Sequence, residues 1–177
     1  MDLISQEDLI LSSNIKSGMS IKELIYLCSF IRELKPKRIL EIGTKHGRTS
    51  INLAKFSPSE AKVFSVDIEV LDKPEICDLP EYQKIKFFQG DTTKFDFKSK
   101  GLDNFDFILV DANHHEKFVI NDTKIAYSLI KNGGVIIWHD YNKDRNYNNL
   151  QVTQALNKLK IYPTVLGGTS LAWLKVN

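Results

Sequence analysis

The sequence predicts a doubly wound α/β fold, in which helices cover both faces of a mostly parallel β-sheet. Strand patterns and helix patterns alternate along the whole chain of 177 residues. The segment Phe105–Asp111 is almost entirely apolar, which is typical of a central parallel strand that is covered on both faces. Polar or glycine residues also follow five of the predicted strands, at the edge where sheets of this class bind their ligands.

The first predicted helix begins at Ser20, which together with Glu23 matches a capping box. Apolar residues then recur at spacings of three and four, at Ile21, Leu24, Ile25, Cys28, Ile31 and Leu34. Pro36 ends this helix because the residue before a proline avoids the helical conformation. Residues 1–19 show no firm period, so we expect an N-terminal lid or arm ahead of one domain at 20–177.

A strand, a glycine loop and a helix come next. The strand is Arg38–Glu41, Gly43 and Gly47 bracket the loop, and the helix is Arg48–Lys55. Glycine allows close approach of a ligand to the backbone, and unpaired N–H groups at a helix start favour a negative group. The unit therefore suits a nucleotide-like ligand, although it lacks the middle glycine of the dinucleotide fingerprint.

The remaining elements continue the alternation. Strands are predicted at Lys62–Asp67, Ile85–Gln89, Phe105–Asp111 and Val135–Trp138, and a closing hairpin at Ile161–Leu166 and Ser170–Val176. Helices are predicted at Lys117–Lys131, where Asn132-Gly133-Gly134 forms a stop, and around Val152–Leu159. Residues 69–84 are predicted to be a loop that contains a short helix.

Two acids after the second and third strands are placed where a nucleoside would need them. Asp67 follows the glycine loop at roughly the 20-residue offset at which an acid meets ribose hydroxyls. The alternative for Asp67 is a helix cap or a surface acid. Gly90-Asp91-Thr92 offers an acceptor for an exocyclic amine beside an open backbone, although a simple turn uses the same residue types.

A second constellation combines Asp111 with the adjacent pair His139 and Asp140. If their strands are neighbours, the strand ends lie about 5 Å apart and the side chains meet around one ion. Two carboxylates and an imidazole suit Mn²⁺ or Fe²⁺, whereas Mg²⁺ prefers oxygen ligands. His114 and His115 add a further ligand or a general base. The alternative is that Asp111 orders its loop and His139 is a hydrogen-bonded core histidine.

Composition narrows the function classes. Lys and Arg number 24 against 22 Asp and Glu, and the net charge of +2 gives no reason to expect nucleic acid as a partner. No apolar run approaches the roughly 18–20 residues that span a bilayer, and we expect no export signal. Cys28 and Cys77 lack metal-type spacing, which favours a reduced, cytoplasmic setting.

Taken together, these motifs resemble class I S-adenosylmethionine-dependent methyltransferases over residues 20–176. The segments that carry the resemblance are Glu41-Ile-Gly-Thr-Lys-His-Gly47, the strand ending in Asp67, Gly90-Asp91, Phe105–Asp111 and Gly133–Tyr141. The chain looks most like a small bacterial subgroup related to macrocin O-methyltransferase and cephalosporin hydroxylase-like proteins. The resemblance implies a Rossmann-like, seven-stranded sheet of order 3-2-1-4-5-7-6, and makes 20–177 the methyltransferase domain.

For the cofactor, the resemblance implies S-adenosylmethionine bound along the strand ends. The residues that would hold it are Glu41, Gly43, Thr44, Gly47, Asp67, Gly90, Asp91 and Asp111. Within this set Glu41 would support the amino group, Asp67 the ribose hydroxyls and Asp91 the adenine amine. Asp111 would face the methyl donor.

For the chemistry, the resemblance implies O-methylation of a small molecule or a sugar hydroxyl, with an optional divalent metal (Mg, Mn or Fe). Asp111 and Asp140 match the metal-binding acids of metal-dependent relatives, and His139 stands where those relatives carry an acid or an amide. Without a metal, His114 or His139 is the expected base. The acceptor pocket is expected to form from residues 1–20, 112–117 and 141–149, with or without a second subunit of a homo-oligomer.

Two other function classes stay open from the residues alone. A nicotinamide-dependent oxidoreductase would use a similar strand, loop and helix, but the missing middle glycine disfavours it. A non-catalytic nucleoside- or metal-binding module would fit the short acceptor region. Nucleic-acid amino-methylation is disfavoured because Asp111-Ala-Asn-His114 stands where such enzymes resemble Asn/Asp-Pro-Pro-Tyr/Phe.

Overall fold

A computed structural model describes residues 1–11, 18–69, 76–142 and 150–177. In these ranges the strands are β1 (Arg38–Ile42), β2 (Lys62–Asp67), β3 (Ile85–Gln89), β4 (Phe105–Val110), β5 (Ile130–Trp138), β6 (Thr164–Val165) and β7 (Ala172–Lys175). The helices are α1 (Ile21–Leu34), α2 (Arg48–Phe56), α3 (Glu116–Leu129) and α4 (Gln151–Lys158). Short 3₁₀ segments lie at Gln6–Asp8, Pro80–Lys84 and Lys98–Lys100.

The strands form one sheet in the order β3-β2-β1-β4-β5-β7-β6. All pairs among β1 to β5 are parallel, whereas β7 is antiparallel to both β5 and β6. The predicted strand order and the mostly parallel α/β sheet are therefore confirmed. The direction of winding reverses between β1 and β4, and the crevice at such a reversal is the usual ligand site of an open α/β sheet.

The carboxyl ends of the parallel strands lie at the same edge, because the backbone hydrogen bonds of the sheet continue one residue past the strands. These bonds are Gly90 N to Asp67 O (2.7 Å), Gly43 N to Val66 O (2.9 Å), Asp111 N to Ile42 O (2.8 Å) and His139 N to Val110 O (3.2 Å). The glycine loop and the predicted acids therefore share one edge of the sheet.

The central strand β4 is buried on both faces, as its apolar run predicted. Ile108 and Val110 belong to the core beneath α3 and α4, whereas Phe107 and Leu109 belong to the core beneath α1 and α2. Full burial of one such side chain stabilises the fold by about 1.5–3 kcal/mol. Two apolar layers thus fix the strand whose end carries Asp111.

The first eleven residues pack on the body of the domain. Ile4 and Leu9 are buried in the core shared with α1 and α2. The backbone N–H of Ile4 donates to Ser29 Oγ (2.9 Å), and Asn52 exchanges two hydrogen bonds with the backbone of Ile10 (2.9 Å each). The predicted lid or arm at 1–19 stays a prediction, and its residues 12–17 lie outside the described part of the chain.

The boundary between α3 and β5 differs from the predicted one. The helix ends at Leu129 rather than at Lys131, and β5 begins at Ile130 and runs through Gly133-Gly134. The two glycines were predicted to stop a helix, but they pair with the end of the chain instead. Gly133 N donates to Val176 O (2.7 Å) and Val176 N donates to Gly134 O (2.8 Å). A contact distant in sequence therefore outweighs the local stop signal.

The closing hairpin is confirmed, but its strands are shorter than predicted. β6 covers only Thr164–Val165, since Pro163 before it has no N–H to donate to a ladder. The part of the chain that the structure describes contains no helix long and apolar enough to cross a membrane.

Candidate functional site

A cavity of about 910 Å³ opens at the carboxyl edge of the sheet. The loop after β1, the residues after β4 and β5, the start of α1 and the turn between β6 and β7 form its wall. The volume is within the range of roughly 300–1,000 Å³ that is usual for small-molecule sites. The predicted site residues in this wall are Gly43, Thr44, Asp111, His114, His139 and Asp140.

The loop after β1 requires glycine at its first position. Gly43 has φ +100°, and a Cβ atom there would lie 2.2 Å from the carbonyl oxygen of Asp111. Gly47, with φ 75°, occupies the N-cap position of α2. The loop therefore runs directly against the chain segment that follows β4, which brings the first and second predicted constellations to one cavity.

Glu41 lies buried beneath this loop and does not border the cavity. One oxygen, Oε2, accepts hydrogen bonds from the hydroxyls of Ser50 and Ser65. The other, Oε1, is buried without a hydrogen-bond partner in the described residues. Burial raises the pKa of Glu41 to about 8, against the opposing effect of the two serine hydrogen bonds. The acid is therefore largely protonated at neutral pH.

Asp67, at the end of β2, is bonded to the glycine loop. Its Oδ2 atom accepts from the backbone N–H groups of Thr44 (2.7 Å) and Lys45 (2.8 Å), and Oδ1 accepts from Glu69 N (3.0 Å). Asp67 lies next to the loop on the side away from β4, outside the cavity wall. Lys45 has a positive φ of 49°, which is unfavourable for a residue with a side chain. The hydrogen bond from its backbone N–H to Asp67 therefore stabilises this loop conformation.

Gly90 and Asp91 follow β3, one strand further from the cavity. Asp91 accepts at Oδ1 from the backbone N–H (2.9 Å) and the hydroxyl (2.7 Å) of Thr93, which is the turn that the sequence offered as the alternative. The hydroxyl of Thr92 donates to Oδ1 of Asp122 on α3 (2.6 Å). Sequence reasoning missed Asp122, an acid buried on the apolar face of α3 that anchors this turn to the helix.

The second constellation forms a compact cluster of acids and imidazoles. Asp111 Oδ1 lies 2.8 Å from His139 Nδ1 and 3.4 Å from His114 Nε2, and His114 Nδ1 lies 2.6 Å from Asp140 Oδ2. Asp111, His114 and His139 each offer a ligand atom, and these atoms lie within 4.8 Å of one another. Asp140 is further out, 3.7 Å from His139 Nε2. His115 does not join them: its Nδ1 atom lies 3.1 Å from Gln151 Oε1.

The acids and imidazoles of this cluster shift each other's pKa values. Hydrogen bonds to Asp111 and Asp140 raise the pKa of His114 to about 9. Burial alone would lower the pKa of His139, but its hydrogen bonds to Asp111 and Glu23 outweigh burial and raise it to about 11. Burial opposes ionisation of Asp111, yet its two imidazole partners hold its pKa below the usual value. Both imidazoles are therefore cations near neutral pH.

Glu23 is the residue of this site that sequence reasoning missed. Its Oε2 atom lies 3.4 Å from His139 Nε2, and its Oε1 atom accepts from the backbone N–H (3.1 Å) and the hydroxyl (2.6 Å) of Ser170. The sequence identified Glu23 only through the capping box, which the structure also contains. The only available signal, a capping-box glutamate, gives no hint of a contact with the far end of the chain.

Basic side chains complete the wall. Lys22 Nζ donates to the carbonyl of Gly168 (3.1 Å), and the Arg48 guanidinium donates to the carbonyl of Met19. These bonds tie the start of α1 to the β6–β7 turn and to α2. Lys45 and His46 also border the cavity.

Comparison with known proteins gives consistent matches. A family model described as a methyltransferase domain matches residues 40–141. Catechol O-methyltransferase B of Danio rerio is 26% identical over 120 residues, which cover 63% of this chain and 45% of that protein. The chain thus spans less than half the length of this curated relative.

Solved structures share the fold. The O-methyltransferase TomG from Streptomyces achromogenes, in complex with SAM, has a TM-score of 0.69 at 19% identity, covering 90% of this chain and 82% of TomG. The O-methyltransferase from Bacillus cereus, in complex with SAH, has a TM-score of 0.71 at 18% identity, with 92% and 84% covered.

Proposed function

Because the chain belongs to the methyltransferase-domain family, we propose that it transfers a methyl group from S-adenosylmethionine to an oxygen of a small molecule. The observation that carries this proposal is the contact of Gly43 with the backbone of Asp111, which joins the cofactor loop and the acid–imidazole cluster in one cavity. The family match, the SAM-bound and SAH-bound fold relatives and the catechol O-methyltransferase relative support the same reaction class.

The cofactor is proposed to lie along the carboxyl edge of β1, β2 and β3. Gly43, Thr44 and Gly47 take the methionine part near the start of α2, where unpaired N–H groups favour its carboxylate. Asp67 accepts hydrogen bonds from the ribose hydroxyls through the carboxylate lone pairs that are not used by the backbone N–H groups of Thr44, Lys45 and Glu69. Gly90 and Asp91 then take the adenine, and Glu41 supports the amino group from beneath the loop.

The acceptor is proposed to enter the cavity beside Asp111. The sulfonium of the donor is already activated, so the main task of the protein is to align the acceptor oxygen within roughly 3–3.5 Å of the methyl group. The acceptor must also give up its hydroxyl proton. His114 or His139, in its neutral form, accepts the hydroxyl proton of the acceptor, and Asp111 then stabilises the imidazolium that forms.

The donor set also fits a divalent metal, because carboxylates and imidazoles are ligands that Mn²⁺ and Fe²⁺ accept. Of the predicted ligands, Asp111 and His139 would hold the ion together with His114, whose ligand atom lies within 4.8 Å of theirs. The third predicted ligand, Asp140, lies 2.6 Å from the other ring nitrogen of His114. A bound metal would lower the pKa of the acceptor hydroxyl and fix its orientation. Turnover before and after chelator treatment decides the point: full turnover without metal would leave only the imidazole route.

Finer assignments belong to the same proposal. The sequence His139-Asp140-Tyr141 supports the subgroup related to macrocin O-methyltransferase and cephalosporin hydroxylase-like proteins. The free thiols of Cys28 and Cys77 suit a cytoplasmic protein. The short acceptor region suits a homo-oligomer in which a second subunit helps to enclose the substrate, with no nucleic acid or membrane partner.

Calorimetry and a product assay test the function. We expect the protein to bind S-adenosylmethionine and its demethylated product more tightly than NADH or NADPH. With a panel of catechols, other phenols and sugars, we expect the demethylated product to form with at least one acceptor. Preferred binding of a nicotinamide would contradict the proposal. Tight binding without turnover on any acceptor would favour a non-catalytic nucleoside-binding module.

A further inference from the structure

We propose that Glu23 is a positioning residue of the methyl-transfer site, which holds His139 and the residues before β7 from the first turn of α1. This inference rests on the proposed function, because the cavity that Glu23 borders is the one assigned to the reaction. Glu23 lies outside the segments from which the sequence predicted the cofactor and metal sites. Its role follows from contacts between parts of the chain that are far apart.

The Glu23 carboxylate links α1 to two distant segments. One oxygen accepts two hydrogen bonds from Ser170, which lies 147 residues away just before β7. The other oxygen lies 3.4 Å from His139 Nε2 at the end of β5, 116 residues away. Three elements that build the cavity wall therefore meet at one side chain.

Helix capping explains only part of this arrangement. The backbone N–H (2.9 Å) and the hydroxyl (2.7 Å) of Ser20 donate to Oε2 of Glu23, as in a capping box. A capping glutamate needs only that oxygen and can remain in water, whereas the Glu23 side chain is 12% exposed. Burying a carboxylate is costly unless charged or hydrogen-bonding partners compensate. Here the partners are Ser170 and His139, and both belong to the site.

The contacts fix the orientation of the His139 ring. Nδ1 lies 2.8 Å from Asp111 Oδ1 and Nε2 lies 3.4 Å from Glu23 Oε2, so each ring nitrogen faces a carboxylate. Rotation of the ring would break both contacts. Glu23 also acts on the backbone after His139, because Ser170, which it holds, accepts a hydrogen bond from Tyr141 N (2.9 Å). The segment 139–141 is therefore held by side-chain and backbone contacts together.

The test compares Glu23→Gln and Glu23→Asp with the unchanged protein. Gln keeps the size of the side chain but removes its charge, and Asp keeps the charge but shortens the reach by one methylene. We expect kcat to fall about tenfold in both variants. The dissociation constant for S-adenosylhomocysteine should stay within twofold. The chain has four histidines, so the ring ¹H and ¹⁵N signals of His139 can be assigned with His139→Gln and should shift in both variants.

Two controls separate positioning from other effects. Glu33→Gln removes the same charge from the same helix at a side chain that is 65% exposed, and should leave kcat and the His139 signals unchanged. Ser20→Ala removes the N-cap and one donor to Glu23 Oε2 but leaves both bonds from Ser170 to Glu23. It should therefore lower Tm by about 2–4 °C and shift the His139 ring signals less than Glu23→Gln does.

Opposite results would overturn the inference. If Glu23→Gln lowers Tm as Ser20→Ala does but leaves kcat and the His139 signals unchanged, Glu23 is only a cap. An unchanged kcat in Glu23→Asp would mean that only the charge of the side chain matters and not its length, which contradicts a positioning role. Should no acceptor be methylated at all, the ring signals still test the positioning of His139, so failure of the proposed function remains distinguishable.

Discussion

Glu41, which is buried, and Asp111, which is part-buried, are acids at the ends of neighbouring strands, yet their pKa values move in opposite directions. Burial dominates at Glu41 and raises its pKa to about 8, although two serine hydroxyls donate to it. Burial also opposes ionisation of Asp111, but its hydrogen bonds to two imidazoles outweigh the effect of burial and lower its pKa. Hydroxyl dipoles do not compensate for lost hydration, whereas imidazolium charges do.

The difference separates two regions of the cavity edge. We call the glycine loop with Glu41 and Asp67 the donor side, and the cluster of Asp111, His114, His139, Asp140 and Glu23 the acceptor side. The donor side is held by backbone N–H groups and hydroxyls and carries few paired charges. On the acceptor side every acid already has a cationic partner, so a substrate group or a metal that enters must exchange with one of them.

The largest expected effect comes from Gly43→Ala, which acts where the two sides touch. A Cβ atom at φ +100° would lie 2.2 Å from the Asp111 carbonyl oxygen, which the backbone can relieve only by moving. We expect a loss of more than about 3 kcal/mol of stability and no measurable binding of S-adenosylmethionine. Thermal unfolding and calorimetry measure the two effects.

Gly101→Ala is the matched control for Gly43→Ala. Gly101 also has a positive φ, +69°, but a Cβ atom there would meet nothing within 4 Å. Backbone strain alone should cost about 1–2 kcal/mol, with donor affinity unchanged. Equal losses in the two variants would show that the contact with Asp111 is unimportant.

Asp111→Asn removes the charge that holds the acceptor side together. We expect kcat to fall about 100-fold, because proton transfer loses its partner, while affinity for the donor changes little. Uptake of a divalent metal should fall in parallel if the cluster binds one. Asp106→Asn is the control: Asp106 lies at the start of the same strand and accepts from the backbone N–H groups of Lys37 and Arg38 (2.7 Å each). It should lower stability and leave kcat intact, and a loss of kcat there would undermine the comparison.

Asp67→Ala tests the donor side by itself. Loss of a hydrogen bond to a charged group should weaken binding of S-adenosylmethionine by about 1.5–3 kcal/mol, with kcat at saturating donor nearly unchanged. Calorimetry measures the affinity. The exposed neighbour Glu69, changed to Ala, should bind the donor normally. Unaltered affinity in Asp67→Ala would refute its role as the ribose ligand and leave only its support of the loop.

The mostly parallel sheet and the shared edge could be predicted because they follow from short-range patterns, whereas the strand order was implied only by the resemblance to class I methyltransferases. The apolar run of β4 and the polar residues at the strand ends depend on neighbours in sequence and on the geometry of parallel sheets. The start of β5 could not be predicted in this way. Gly133 and Gly134 look like a helix stop until the end of the chain, at Val176, pairs with them.

The same division runs through the candidate site. Asp111 and His139 were expected to meet because their strands were expected to be neighbours, and they lie 2.8 Å apart. Glu23 was missed because helix capping is a sufficient local explanation for it. Asp122 was missed although its spacing from Val119 and Ala126 places it on the apolar face of α3, where it is buried. Their partners, Ser170 and Thr92, are distant in sequence and carry no pattern of their own.

The smallest expected effect, and the sharpest test of the opposite pKa shifts, is the pH dependence of Glu41→Gln. The folded-state pKa of Glu41 lies above its unfolded value of 4.5, so the folded protein binds more protons and stability should fall as pH rises from about 4.5 to 8.

His114 and His139 have raised pKa values too, but their stabilising contribution is complete below their unfolded value of 6.5 and fades only above it. Between pH 5 and 6.5 the loss due to Glu41 should be about 1–2 kcal/mol. Burial also raises the pKa of Asp122, so the part due to Glu41 is the difference between the unchanged protein and Glu41→Gln. Urea unfolding at these two pH values should show that the loss shrinks in Glu41→Gln, and an unchanged slope would mean that Glu41 is ionised in the folded protein and that the two sides do not differ in this respect.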